Sequence, residues 1–169
     1  PVLAPTERNI VLKCGELSQT VLLEEALSLH DHDGMELAEQ VLGRRLVDML
    51  VTFAPRAQWF QLTPIAHRLA SGGEARAEQA LVALTRRTDS QSRRETAKGL
   101  GMSDSRIALR HLETLMRDQN AEVAITSVRV TGTSPAPGAA QALERLLDEI
   151  DIDGKDFERA REIIGALDR

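Results

Sequence analysis

Tyrosine is absent from the sequence, and aromatic residues make up only 2% of it. Sandwiches and barrels fill their pleated faces with β-branched and aromatic side chains, so this scarcity argues against an all-β fold. Cysteine occurs once, at Cys14. A lone cysteine cannot close an internal disulfide, which excludes a stapled secreted scaffold and suits a reducing, cytoplasmic compartment. Cys14 itself sits in the apolar stretch "IVLKCG" and reads as a small buried hydrophobe. No apolar run approaches the ~20 residues of a membrane span. No signal-peptide pattern is present, and the first residue is Pro1, not Met, which points to a segment of a longer protein.

Good helix formers dominate: Leu, Ala, Arg and Glu. With 42% hydrophobic residues over 169 positions, the chain can build one cored domain or a short run of repeats. The net charge of −5 disfavours generic nucleic-acid binding. The charge is unevenly spread. Residues 7–39 hold eight acids against Arg8 and Lys13, whereas residues 86–110 hold Arg86, Arg87, Arg93, Arg94, Lys98, Arg106 and Arg110 against Asp89, Glu95 and Asp104.

Apolar residues recur at helical spacing along almost the whole chain. Leu22, Leu23, Ala26, Leu27 and Leu29 form one stripe, with Ser18 as its N-cap. A longer stripe runs from Leu37 through Val41, Leu42, Leu46, Val47, Leu50 and Val51 and ends at Pro55. Others follow at Ala80–Leu84, Leu109–Met116, Val123–Val130, Ala139–Leu147 and Phe157–Ile164. Polar turns such as "RTDS", "GMSDS" and "RDQN" punctuate them. "AEVAITSVRV" is rich in β-branched residues, but its neighbours make it a helix. Pro64 should kink or restart its helix, since proline lacks the amide hydrogen and clashes with the preceding turn.

The stripes repeat. "SRRETAKGLG" (92–101) lies over "VAITSVRVTG" (123–132) at an offset of 31, both ending in glycine. "ALERLLDEI" (142–150) lies over "ALRHLETLM" (108–116) at 34, an offset that also sets Phe157 on Val123, and "QLTPIAHRLA" (61–70) fits the same second-helix slot. The unit is helix, short polar turn, helix, small residue. One such pair cannot bury its own stripe, so pairs must stack, and Thr96, Gly99, Ser127 and Gly132 let neighbouring helices come close. Stacking predicts burial of Leu112, Leu115, Val123, Ser127, Leu143, Leu146 and Phe157.

The unit resembles the HEAT-repeat family in its short bacterial form, the PBS-lyase-like or EZ HEAT repeats, whose second helix reads roughly "VRxxAxxALG". "VAITSVRVTG" keeps the valine and glycine; "SRRETAKGLG" keeps Arg93, Leu100 and the glycine. The resemblance covers residues 56–169, with residues 1–55 as N-terminal helices continuing the same domain. It implies an all-α, right-handed α-solenoid, an armadillo-like superhelix of about four to five helix pairs.

"DEIDIDGKDFERA" (148–160) has the look of a calcium loop. An EF-hand needs a bidentate Glu at its twelfth position, and counting from Glu149 that position is Ala160, while the normally apolar eighth is Asp156. The segment 149–156 reads as a turn that caps the following helix, at most an adventitious cation site. "HDHD" (His30, Asp31, His32, Asp33) lacks a distant His or Cys to complete a tetrahedral site and reads as a solvated turn, Asp33 capping the next helix. His67 and His111 stand alone on separate helices and read as surface or interface histidines. No nucleophile elbow or phosphate loop is present. Trp59 and Phe60, the only aromatic cluster, read as core packing at the junction of the N-terminal helices with the repeats, or else as an exposed interaction anchor.

The resemblance implies a non-enzymatic scaffold that binds a protein on its concave face, with no cofactor and no metal. HEAT-like folds also include bilin lyases and DNA glycosylases, the alternative class. In a HEAT arrangement the second helices line the inner curve. With the register set by Gly101 and Gly132, Ser92, Thr96, Gly99, Val123, Ser127 and Val130 point inward to the core. The opposite face presents Arg94, Glu95, Lys98, Ile125, Thr126 and Arg129, with His67 and Arg159 in flanking repeats. Arg94, Lys98, Ile125, Arg129, Arg159 and His67 are therefore the candidate binding residues. They suit an acidic protein segment, or else form a solvated face whose arginines pair with Glu95 and neighbouring acids.

Overall fold

The computed structural model describes residues 16–28, 32–150 and 156–168, and among them every regular element is helical. Ten α-helices run in order: α1 (Glu16–Ser28), α2 (His32–Leu42), α3 (Arg45–Phe53), α4 (Leu62–Gly72), α5 (Ala75–Thr85), α6 (Ser90–Gly101), α7 (Arg106–Leu115), α8 (Ala121–Thr131), α9 (Ala139–Glu149) and α10 (Phe157–Leu167). Two 3-10 turns, Ala54–Arg56 and Trp59–Gln61, lie between α3 and α4. The all-α expectation is met, and "AEVAITSVRV" is helical.

Side-chain caps set the starts of α6, α7 and α8. The Asp89 carboxylate accepts the Ser92 amide at 2.7 Å, the Ser105 hydroxyl accepts that of Ala108 at 3.0 Å, and Asn120 Oδ1 accepts those of Glu122 and Val123. Each answers amides that a helix leaves without a partner in its first turn. Pro64 stands in the first turn of α4, where its missing amide hydrogen costs nothing. Two boundaries differ from the sequence reading. Ser18 falls inside α1 and is not its cap. The long stripe from Leu37 to Val51 is two helices, because Gly43 adopts φ +54 and breaks it between α2 and α3. His32 opens α2, so Asp33 lies within that helix; His30, Asp31, Cys14 and the core of the acidic loop, residues 151–155, lie outside the described residues.

The helices form two rows. α4, α6, α8 and α10 pack one on the next, and α3, α5 and α7 do likewise. Each pair, α3–α4, α5–α6, α7–α8 and α9–α10, also packs within itself. Buried apolar side chains fall into two clusters. The larger runs from Leu23 in α1 to Val123 in α8, and the smaller joins Leu109 and Met116 to Val128, Leu143, Leu146 and Ile163. Leu112, Leu115, Val123, Ser127, Leu143 and Leu146 are buried as expected. Phe157 is not: it is 54% exposed, because it stands on the outer side of the last helix, where no described element packs over it.

Small residues set the spacing of the second-helix row. A Cβ on Gly99 would stand 2.1 Å from the Thr63 carbonyl oxygen in α4. One on Gly101 would stand 2.6 Å from Val130 Cβ in α8, and one on Gly132 2.5 Å from Ala166 Cβ in α10. Polar groups bridge the same joints. Arg93 holds Asp118 through two hydrogen bonds of 2.6 and 2.9 Å and donates to the Arg87 and Thr88 carbonyls. Arg87 reaches back to the Ala54 and Ala57 carbonyls. Burial pushes the Asp118 carboxyl up, but Arg93 and the Asn120 amide more than offset this and hold it below the usual carboxylate range.

Candidate functional site

One groove stands out beside the second-helix row, with a volume of about 610 Å³. Its walls come from three places. α2 supplies Met35, Glu36 and Glu39; the Trp59–Gln61 turn and α4 supply Trp59, Phe60, Pro64, His67 and Arg68; α6 and the residue after it supply Glu95, Lys98 and Met102.

The turn that presents the aromatics is closed reciprocally by two glutamines: the Gln58 amide donates to Gln61 Oε1 at 2.9 Å, and the Gln58 side chain answers the Gln61 amide. Gln61 is buried, which fixes the turn and turns Trp59 outward. Trp59 meets Phe60 edge to face, ring centroids 5.7 Å apart. Trp59 is 48% exposed and Met102 53%. The expectation that Trp59 packs in the core is thus corrected: the 3-10 turn, anchored by Gln61, leaves the indole at the groove, the alternative the sequence also allowed.

The floor holds a buried carboxylate whose oxygens are satisfied. Glu95 is only 8% exposed, against its expected place on the open face. Its carboxylate accepts Lys98 Nζ at 2.8 Å and Gln91 Nε2 at 3.3 Å, and Thr63 Oγ1 lies 3.1 Å from its Oε2. The close α4–α6 approach at Gly99 draws this group in. Arg68 pairs with Glu39 at 2.6 Å across the groove, joining α4 to α2. Basic and acidic groups are therefore largely matched, and what remains available is apolar surface: Met35, Trp59, Phe60, Pro64 and Met102.

Of the residues expected on the open face, His67 and Lys98 line this groove. Arg94, Ile125, Arg129 and Arg159 do not; they lie elsewhere along the row or on its last helix. Arg94 pairs with Glu122 at 3.0 Å, Arg129 with Glu162 at 2.9 Å and Arg159 with Asp156 at 3.3 Å. Glu162 accepts a hydrogen bond from Arg129 and raises its pKa. Ile125 and Thr126 are half-buried. The basic stripe is thus interleaved with acids, and two of these pairs tie one second helix to the next. His111, read as a surface or interface histidine, is buried in α7, and its Nε2 meets no hydrogen-bonding partner among the described residues. Burial, together with Arg110 and against the pull of Glu78, lowers its pKa.

Sequence reasoning missed Met35, Glu36, Glu39 and Met102. Met102 carried a signal, as a large apolar residue just past the glycine that ends α6; the α2 residues carried none, since their place depends on how α2 meets α4. Among the described residues no three His, Cys, Asp or Glu side chains gather as a metal site, and no helix is long and apolar enough to cross a membrane. No family model matches the chain, and no curated protein or solved structure matches it significantly.

Proposed function

We propose that the chain is a HEAT-like α-solenoid module, a non-enzymatic scaffold that grips a protein partner in the Trp59–Met102 groove. The observation that carries this reading is the exposure of Trp59 and Met102 across a groove whose charges, Glu36 apart, are largely matched. Aromatic and methionine side chains left open over apolar walls are characteristic anchors of protein contacts. The two rows of packed helices and the glycine joints support the repeat assignment, since stacked helix pairs place one continuous row along each side.

The partner is an extended or helical segment with a large apolar side chain that seats between Trp59 and Met102. A basic residue beside it would meet Glu36, a groove carboxylate with no ion pair among the described residues. The test is selection of a random peptide display library on the 169-residue protein. Apolar-anchored sequences with an adjacent Lys or Arg should emerge, and Trp59→Ala and Met102→Glu should abolish their binding. An acidic segment on the arginine stripe is the second reading, favoured by Arg94 and Arg129, whose exposed ion pairs are weak enough to exchange partners. Enrichment of acidic peptides, lost in Arg94→Glu/Arg129→Glu and kept in Trp59→Ala, would overturn the groove in favour of the stripe.

A further inference from the structure

Each of the last three second helices carries a glycine at or near its C-terminal end: Gly101 in α6, Gly132 after α8 and Gly165 in α10. The first two are contact points. Gly101 receives Val130 of the next second helix, and Gly132 receives Ala166 of the one after. Among the described residues Gly165 receives nothing: a Cβ placed there would meet none of their atoms within 4 Å.

The neighbours of these glycines follow the same contrast. Four and eight residues before the glycine, on one helix face, stand Ala97 and Arg93 in α6, Ala124 and Val128 in α8, and Arg161 and Phe157 in α10. Ala97, Ala124 and Val128 are fully buried, and Arg93 is held by Asp118 from the turn that leads into the next second helix. Just before the glycine, Leu100 and Thr131 are buried, whereas Ile164 is 46% exposed. The last helix therefore presents the side with which its two predecessors receive the next helix, with Phe157 and Ile164 exposed on it and Arg161 standing where Ala97 and Val128 are buried. End repeats of a stacked array normally carry a polar outer face. This end carries Phe157 and Ile164.

We infer that the outer face of α10, formed by Phe157, Arg161, Ile164 and Gly165, is the acceptor surface for a further helix pair of the same repeat type. It continues the interface already made twice within the chain. The chemistry of the occupant follows from those two interfaces. A small aliphatic residue sits against Gly165, as Val130 and Ala166 sit against Gly101 and Gly132. A carboxylate reaches Arg161, which stands one turn along the same side from the positions where Arg93 and Arg94 take Asp118 and Glu122. Arg161 is free to accept it, since its present partner, Glu158, lies one turn away on the same exposed helix face. This surface is distinct from the groove and does not depend on what the groove binds.

The test adds such a pair. Residues 1–168 are followed, from position 169, by a second copy of residues 105–133, which keeps the spacing that Ser105 has from Gly101. Thermal melting, far-UV circular dichroism and amide exchange are compared for the 169-residue and the extended chains, each with and without Gly165→Leu. The extended chain should gain helix, melt about 3 °C or more higher and slow exchange within α10 about tenfold. Gly165→Leu should cancel these gains in the extended chain and leave the 169-residue chain unharmed, because there it meets open space. If the added helices fail to form, or Gly165→Leu acts alike in both chains, the inference falls. It falls equally if the 169-residue chain self-associates in sedimentation and Phe157→Glu or Ile164→Glu disperses it, for then a second copy covers the face.

Discussion

The two rows of helices are joined by different physics. In the second-helix row, backbones approach at Gly99, Gly101 and Gly132, and the joints bury Thr96, Ser127 and Thr131, whose hydroxyls donate to carbonyls one turn back. In the first-helix row, leucines do the packing, and exposed pairs cross outside them: Arg76 with Asp48, Arg110 with Glu78 and Arg145 with Glu113. A row held by close approach has no slack for added volume. A row held by leucines and loose ion pairs is sensitive to lost volume and nearly indifferent to lost charge.

That contrast can be broken most severely from the leucine side. Leu112 is fully buried in α7, and Leu112→Ala should cost about 2–5 kcal/mol through the cavity it leaves. A loss below about half a kcal/mol in urea unfolding would refute the packing register of that row. The converse change, Gly99→Ala in the second-helix row, should cost about 1–3 kcal/mol by overpacking, despite alanine's better helix propensity. The same substitution at Gly165 should stabilise slightly, since it gains propensity and meets nothing.

His111 sharpens the comparison by pH. Its folded-state pKa is lowered, so between that value and the ordinary histidine value of about 6.5 the unfolded chain binds more protons. Stability should therefore fall as pH drops below about 6.5, and His111→Gln should flatten that part of the curve in denaturation at pH 5 and pH 7. The smallest effect belongs to the outer pairs. Arg145→Gln should change stability by no more than about 1 kcal/mol, and by less in high salt.

What the sequence made legible was local. The polar turns "RTDS", "GMSDS" and "RDQN" announce breaks between the stripes, and the structure finds the caps Asp89, Ser105 and Asn120 in them, whereas the cap expected at Ser18 lies inside a helix. Gly99, inside its helix, announces close approach because nothing else there justifies a glycine, while Gly132 reads both as a helix stop and as a point of approach. What escaped was decided by the neighbouring pair. Glu95 reads as an exposed glutamate until α4 brings Thr63 against it. Trp59 reads as core until the buried Gln61 turns it outward. Phe157 carries the same apolar signature as Val123, and differs only in having no helix laid over it. The groove was half legible: His67 and Lys98 follow from the repeat register, while Met35 and Glu39 depend on an α2–α4 meeting that no periodicity encodes.

The joints described above nearly all span about one repeat of sequence: Arg93 to Asp118, Thr63 to Glu95, Arg129 to Glu162. Contacts so near in sequence give the fold a low contact order, and folding of this kind is fast, nucleating in any adjacent pairs and spreading outward. It also means that disturbance is local. Fraying at α10 has no direct route to α1, and the middle pairs, clasped from both sides, open last. The protein should accordingly yield from its outer helices inward, so that a protease trims α1 or α10 before it ever cuts between α6 and α8.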